Sequence, residues 1–312
     1  EGKKISGEPG EVIIAPLPLY HIFAFTVNCM CMMVTGNHNV LIPNPRDIDG
    51  FVKELQKWQF TAFLGLNTLF VALMSHPEFK KINFTSLKGT NSGGTALVSA
   101  VAERWKSMTG VTVTEGYGLT ETSPVVCANP HGDGSRLGTV GLPVPGTTLK
   151  VIDDDGSELP LGERGELCVK GPQVMKGYWQ RPDATAEVLD AEGWLKTGDV
   201  AVIDEDGFVR IVDRKKDLII VSGFNVYPNE IEDVVMAHPK VAACAVIGVP
   251  DEKSGEAVKL FAVRSDASLT VDELKAYCRE NFTGYKVPRQ IVFRDSLPMT
   301  PVGRILRREL RD

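Results

Sequence analysis

The chain has no C-x-x-C pair, no excess of basic residues and no apolar run long enough for a membrane helix. Its six cysteines, at 29, 31, 127, 168, 244 and 278, lack the paired spacing of a zinc site. They read as reduced, mostly buried thiols, which favours a cytoplasmic compartment. A net charge of −6 is the opposite of a nucleic-acid footprint, so nucleic acid is not an expected partner. The most apolar stretch, 22–34, is about half a membrane span and contains Asn28, so a buried segment is expected there. Residues 1–11 contain no apolar signal core, no export signal is visible, and there is no initiator Met.

At 312 residues there is room for two or three domains, and 43% hydrophobic with 24% charged residues fits soluble α/β chains. Strands expected at 12–18, 60–66 and 111–114 alternate with helices at 50–58, 68–75 and 97–109. Asp47 and Asn67 are expected to cap the first two of these helices. Such alternation predicts a mainly parallel sheet that binds ligands at strand carboxyl ends. Three such ends carry unusual residues: Tyr20-His21, Ser92-Gly93-Gly94-Thr95 and Gly116-Tyr117-Gly118-Leu119-Thr120-Glu121.

From 131 to 212 glycine, proline and short alternating strands dominate, and a small distorted β-barrel is expected. Its acidic turns at 153–156 and 204–207 lack the spaced ligands of a calcium loop and read as hairpin turns. After it, helices at 228–238, 270–282 and 305–311 and strands at 241–249, 258–264 and 290–293 predict a compact α+β domain. The expected fold class is α/β: a partial parallel-sheet domain over 1–130, the β-barrel over 131–212, and a mobile α+β domain over 213–312.

Several stretches hold chemistry. The run Gly116-Tyr117-Gly118-Leu119-Thr120-Glu121-Thr122 joins glycines that admit a ligand to the backbone, a stacking ring, a hydroxyl and a carboxylate. Hydroxyl and carboxylate can serve phosphate and Mg²⁺, although the run by itself is a loop open to any function. Asp199 follows Thr197-Gly198 and, on residues alone, closes a hairpin. His21 lies beside aromatics, more often the setting of a core histidine than of a ligand. The charged run Asp213-Arg214-Lys215-Lys216-Asp217 lies between two apolar strands, so it is expected at a surface junction or a site rather than in the core.

Trp194-Leu195-Lys196-Thr197-Gly198-Asp199, followed by this charged run, resembles the adenylate-forming enzymes: acyl-CoA synthetases, peptide-synthetase adenylation domains and beetle luciferases. The wording is most similar to the C-terminal part of bacterial long-chain fatty acyl-CoA synthetases. The resemblance implies ATP, CoA and a fatty acid as substrates, with Mg²⁺. It implies that Tyr117 stacks on adenine opposite a wall of Gly93, Gly94 and Thr95. Within the same motif, Gly118 and Thr120 meet the nucleotide, Thr120 at the α-phosphate, while Glu121 holds Mg²⁺ and Gly116 faces the substrate. Asp199 and Arg214 are implied at the ribose, Lys216 at the hinge of a domain rotation and Gly223 at the pantetheine tunnel. His21 and Phe23 are implied on the carboxylate and acyl side. The apolar stretches 23–34 and 67–73 are either acyl-tunnel wall or plain core. Fatty-acid substrates are compatible with transient contact at the inner membrane face.

Two departures stand out. A Ser/Thr/Gly-rich phosphate loop ending in Pro-Lys-Gly is missing and is expected upstream of residue 1, so the chain reads as a fragment that alone binds ATP poorly. Arg304 stands where most relatives have a lysine that bridges acyl carboxylate and α-phosphate. Arginine keeps the charge but presents it as a broad planar fork. It either neutralises the developing charge or slows the first half-reaction. Two alternatives therefore stay open: a ligase for a medium-chain or aryl acid, and a catalytically weakened nucleotide-binding module.

Overall fold

A computed structural model of the protein describes residues 10–94, 96–130, 132–300 and 303–311. The chain forms two compact units, one of residues 1–197 and 201–211, the other of 198–200 and 212–312.

In the first unit, Val12–Ala15 (β1), His38–Leu41 (β2), Ala62–Gly65 (β3), Gly89–Ser92 (β4) and Val113–Gly118 (β5) form a parallel sheet in the order β2-β1-β3-β4-β5. Val125–Ala128 (β6) and Leu142–Pro143 (β7) extend it antiparallel from β5. All four residues of β3 are buried, as a central parallel strand covered on both faces requires. Beneath it lies an aromatic cluster in which the Trp105 ring sits 5.3 Å from Phe63 and 4.7 Å from Phe70. The indole N–H of this fully buried Trp105 donates to Thr90 Oγ1 at 3.1 Å, so its single polar group is satisfied.

Asp47 caps the helix Ile48–Leu55 as expected, accepting from the Gly50 amide at 3.0 Å. Asn67 does not act as a cap. The helix Asn67–Ser75 starts at Asn67 itself, and the Asn67 side chain instead accepts from the Val98 amide at 3.1 Å, tying together two strand-to-helix connections. Segment 22–34 also departs from expectation. It is helical with a π-helical middle, Phe25–Cys31, and buries only Ala24, Asn28 and Met32, while Phe25, Met30, Met33 and Val34 are exposed. Those three buried positions, four residues apart, define one helix face. On that face the Asn28 side-chain N–H donates to Asn39 Oδ1 at 2.9 Å, while its own Oδ1 meets no donor among the described residues. Among the described residues no helix is long and apolar enough to cross a membrane.

Thr148–Ile152 (β8), Gly165–Lys170 (β9), Leu195–Ile203 (β10) and Val209–Arg214 (β11) form a four-stranded sheet in the order β11-β10-β9-β8. No closed barrel forms among the described residues, because β6 and β7 join the first sheet and only a Gly141–Val209 bridge leads back to β11. Asp153 and Asp204 organise the two acidic turns by accepting backbone amides, Asp204 from Asp206 at 3.0 Å and Phe208 at 2.9 Å.

In the second unit the long strands Val241–Asp251 and Gly255–Arg264 pair antiparallel, and Gln290–Phe293 adds parallel to the latter. Ile219–Val221 joins this sheet and folds back on Phe224–Val226, a strand absent from the sequence reading. Their connection is the two residues Ser222 (φ 51°) and Gly223 (φ 83°), both in the left-handed region that a tight hairpin demands. Helices Pro228–Met236 and Val271–Asn281 cover the sheet, the second capped by Thr270 accepting from Glu273 at 3.1 Å. The expected helix at 305–311 is replaced by a 3₁₀ turn, Arg307–Leu310. Upstream of it Ile305 pairs with Met299 in an isolated bridge, and the Thr300 amide donates to Arg304 O at 2.8 Å, so the expected first helical residue is extended instead. All six cysteines are free and four are buried.

Replacing Trp105 by Ala would remove the ring shared by this cluster and is expected to cost the first unit about 3–5 kcal/mol. Urea unfolding followed by circular dichroism checks this, and an unchanged midpoint would contradict it.

Candidate functional site

The carboxyl ends of β1, β4 and β5 gather the predicted residues of the first unit. Gly93, just past β4, is there for space: a Cβ would stand 3.1 Å from the Phe23 ring, so two implied site residues are in contact. His21 is half-buried and uses Nδ1 to accept the Phe23 amide at 3.3 Å, capping the short helix that follows. Gly94 has φ 82°, and Thr95 lies outside the described residues.

Gly116, Tyr117 and Gly118 are not a loop. Pairing with β6 keeps them in β5, with an irregularity between Tyr117 and Gly118. Tyr117 is half-buried against the antiparallel core. A Cβ on Gly118 would collide with the Pro124 carbonyl, so glycine lets the returning chain close on the strand. The buried Thr122 hydroxyl locks that return, accepting the Leu119 amide at 3.0 Å and donating to Pro124 O at 2.6 Å. Thr120 and Glu121 lie in the 3₁₀ turn so fixed, Thr120 exposed and Glu121 half-buried. Glu121 Oε1 accepts the Tyr178 hydroxyl at 2.9 Å.

No cluster of three or more His, Cys, Asp or Glu able to hold a metal occurs among the described residues. A single carboxylate nonetheless fits Mg²⁺ in a nucleotide site, because that ion keeps several waters and takes its other ligands from phosphates. Glu121 is the residue that would hold it.

The second unit holds the other implied residues. Asp199 does not close a hairpin: it is buried inside β10 after Gly198 (φ 72°), and its Oδ1 lies 3.3 Å from Arg214 Nε. Arg304 lies close enough to feel both. Burial first, then the like charge of Arg214, lowers its affinity for the proton, and Asp199 opposes this. As an arginine it stays charged. Residues 199, 214 and 304 thus share one electrostatic environment. Lys216 is exposed in the 3₁₀ turn Lys215–Asp217, and Gly223 lies in the hairpin turn described above.

The expectation that none of 213–217 is core fails at Asp213, which is 1% exposed. Its carboxylate is accommodated by the amides of Arg214 at 2.7 Å and Asn229 at 2.8 Å, the latter at a helix N-terminus. Arg307 faces the same cluster. It binds Asn229 at 2.9 Å, both oxygens of Glu232 at 2.9 and 2.8 Å, and Asp217 at 3.4 Å. Burial works against the Arg307 charge, but Glu232, Asp213 and Asp217 outweigh it and raise its pKa. Burial likewise pushes the Asp213 carboxyl up to about 6, against the pull of Arg307 and the two amides.

Three residues here escaped the sequence reading. Tyr178 and Glu232 carry no local signal, and Arg307 lies in the segment expected to be a helix.

Against known proteins, the profile described as "AMP-binding enzyme" matches residues 2–179, and "AMP-binding enzyme C-terminal domain" matches 230–304. The chain belongs to the AMP-binding enzyme family. A Long-chain-fatty-acid–CoA ligase of Salmonella typhimurium is 59% identical over 305 residues, covering 97% of this chain and 54% of that protein. The Bacillus subtilis protein of the same description is 40% identical, again over 97% of this chain and 54% of its own length. Among solved structures, a benzoate CoA ligase from Burkholderia xenovorans LB400 superposes with a TM-score of 0.87 at 27% identity, over 99% of this chain and 62% of that one. This chain therefore spans about half the length of the curated AMP-binding relatives it matches.

Because the Asp213 carboxyl is pushed up to about 6 from an ordinary 3.8, the folded state binds its proton more tightly than the unfolded chain. Its contribution therefore falls by about 3 kcal/mol as pH rises through that window. Asp213→Asn is expected to remove this slope. Urea midpoints of both proteins across the window test it, and parallel profiles would refute it.

Proposed function

We propose that this chain is the C-terminal part of an AMP-forming long-chain fatty acid–CoA ligase, acting in the cytoplasm with ATP, CoA and a fatty acid. The observation that carries the reading is the grouping of Asp199, Arg214 and Arg304 across more than a hundred residues of sequence. It occurs in a chain 59% identical to a protein of that description. The 27% likeness to a benzoate CoA ligase supports the acid–thiol ligase class but not an aryl substrate.

In this reading Tyr117 stacks on adenine opposite Gly93, Gly94 and Thr95, with Gly118 beside it meeting the nucleotide. Asp199 accepts the ribose hydroxyls, a role suited to a carboxylate, which only accepts, and the Arg214 contact at 3.3 Å supports it by fixing that carboxylate. Thr120 binds the α-phosphate. Glu121 would hold Mg²⁺, which neutralises phosphate charge when bound. His21, Phe23 and Gly116 border the acid.

An acyl carboxylate oxygen attacks the α-phosphorus, pyrophosphate leaves, and the Arg304 guanidinium neutralises charge at the reacting oxygens. The CoA sulfur then attacks the acyl carbonyl and AMP leaves. Catalysis is positioning and charge stabilisation. The divisions 1–130, 131–212 and 213–312 are proposed as working parts, the last rotating about Lys216 and opening a pantetheine path past Gly223. Contact with the inner membrane face is proposed as transient, and the exposed Phe25, Met30, Met33 and Val34 suit it.

The test uses the full reading frame containing this chain, with Mg·ATP, CoA and acids from acetate to oleate, following products by mass spectrometry. Oleoyl-CoA with an equal amount of AMP is expected. Benzoyl-CoA in preference, or no product, would replace the reading with an aryl ligase or a non-catalytic module. Glu121→Ala is expected to slow acyl-AMP formation about 10²–10³-fold. Arg304→Lys should speed that half-reaction, by up to about tenfold, because a compact ammonium fits between carboxylate and phosphate better than a planar fork. Single-turnover acyl-AMP measurements check both.

A further inference from the structure

Glu121 is held from outside its own motif. Tyr178, on the segment leading into helix Pro182–Val188, donates its hydroxyl to Glu121 Oε1 at 2.9 Å. That segment is fastened to the nucleotide motif at two further points. The Met175 amide donates to Glu121 O at 2.8 Å, and Gln173 Nε2 donates to Val125 O at 3.1 Å. So Glu121 is bound through both its main chain and its side chain by residues more than fifty positions away in sequence.

The Tyr178 main chain is itself fixed. Its amide donates to Thr185 Oγ1 at 2.9 Å, and the Thr185 hydroxyl donates to Arg181 O at 2.8 Å. Gly177 has φ 144°, and a Cβ there would press on Thr185 Cγ2 at 2.9 Å, so glycine lets the loop approach the helix. Of the two adjacent aromatics, Trp179 is 88% exposed and Tyr178 only 38%. The one with a hydroxyl is the less exposed of the two. Burial and then the bond to Glu121 raise the pKa of that phenol. A neutral phenol has a single proton to donate, so it engages one carboxylate oxygen and leaves the acceptor capacity of the other. Outer donors of this kind orient a ligating carboxylate and tune its affinity.

We propose that Tyr178 is a positioning residue for the adenylation half-reaction, its hydroxyl fixing the Glu121 carboxylate for the divalent cation of the bound nucleotide. This rests on the reading of Glu121 as the cation's ligand. It also gives the loop at 171–181 a purpose: the loop carries the donor to the nucleotide motif.

The test compares wild type, Tyr178→Phe, Glu121→Gln, the double variant and Trp179→Phe in the protein from the full reading frame. Mn²⁺ binding with ATP is read by water-proton relaxation, and the Mg²⁺ dependence of ATP–pyrophosphate exchange is read alongside. Tyr178→Phe is expected to weaken Mn²⁺ binding and raise the Mg²⁺ half-saturation about tenfold, with the KM for fatty acid unmoved. The double variant should bind no worse than Glu121→Gln, since the phenol acts only through that carboxylate. Trp179→Phe should match wild type.

If Tyr178→Phe keeps Mn²⁺ affinity within about twofold while Glu121→Gln loses it, the proposal is overturned and the Glu121 reading stands. Normal Mn²⁺ binding by Glu121→Gln would overturn both. A lower melting temperature for Tyr178→Phe with Mn²⁺ affinity intact would make Tyr178 merely structural and also overturn the proposal.

Discussion

A carboxylate taken out of water has to be met by donors where it comes to rest, and the second unit is arranged around that requirement. Asp213 ends up inside the protein, where two main-chain amides accept the burden and Arg307 supplies opposite charge. Arg307 in turn requires Glu232, which also receives the Val246 amide at 2.8 Å and so anchors the cluster to the sheet. The result links the strand end at 213, the turn at 215–217, the helix at 228–236 and the C-terminal turn at 307–310. Deleting any one charge would strand the others in a low-dielectric setting, which costs far more than an exposed pair contributes. Arg214 projects from the residue next to Asp213, so the position of the proposed ribose contact depends on that buried cluster.

The first unit meets a different constraint, close approach of main chain to main chain. Gly118 and Thr122 bring the chain back against β5, and Gly93 makes room for Phe23. These are small residues with large consequences: they decide where the hydroxyl of Thr120 and the carboxylate of Glu121 stand. The chemistry proposed at the strand ends is thus carried by side chains, but its geometry is set by residues with little or no side chain.

Much of this was legible. The alternation of apolar runs with helical periodicity gave the parallel sheet, and Asp47 announced its helix, because these signals are local. What failed was decided at a distance. Asn67 has the right chemistry for a cap, but the Val98 amide, thirty-one residues on, is the donor it meets. The apolar run at 22–34 looked uniformly buried, yet only one helix face finds a core to pack against. The last segment has helical composition, but Ile305 at its start is held in a bridge to Met299. Asp213 reads as surface in any charged run, since no neighbour in sequence reveals Arg307. At the site, resemblance gave the residues proposed to touch ligand, and Tyr178 stayed hidden because its partner lies across the fold.

The hairpin at Ser222-Gly223 bears on how a familiar kind of experiment is interpreted. Both turn residues have positive φ, and nothing lies within 4 Å of where a Gly223 Cβ would stand. Glycine is therefore demanded by the main chain whether or not a thiol substrate passes beside it. An alanine there would strain the turn and narrow any passage at once, and its kinetic effect would not separate the two. A residue of opposite chirality, introduced by semisynthesis, would relieve the strain but project its methyl group from the other face of the α-carbon, so the two variants probe opposite sides of the turn.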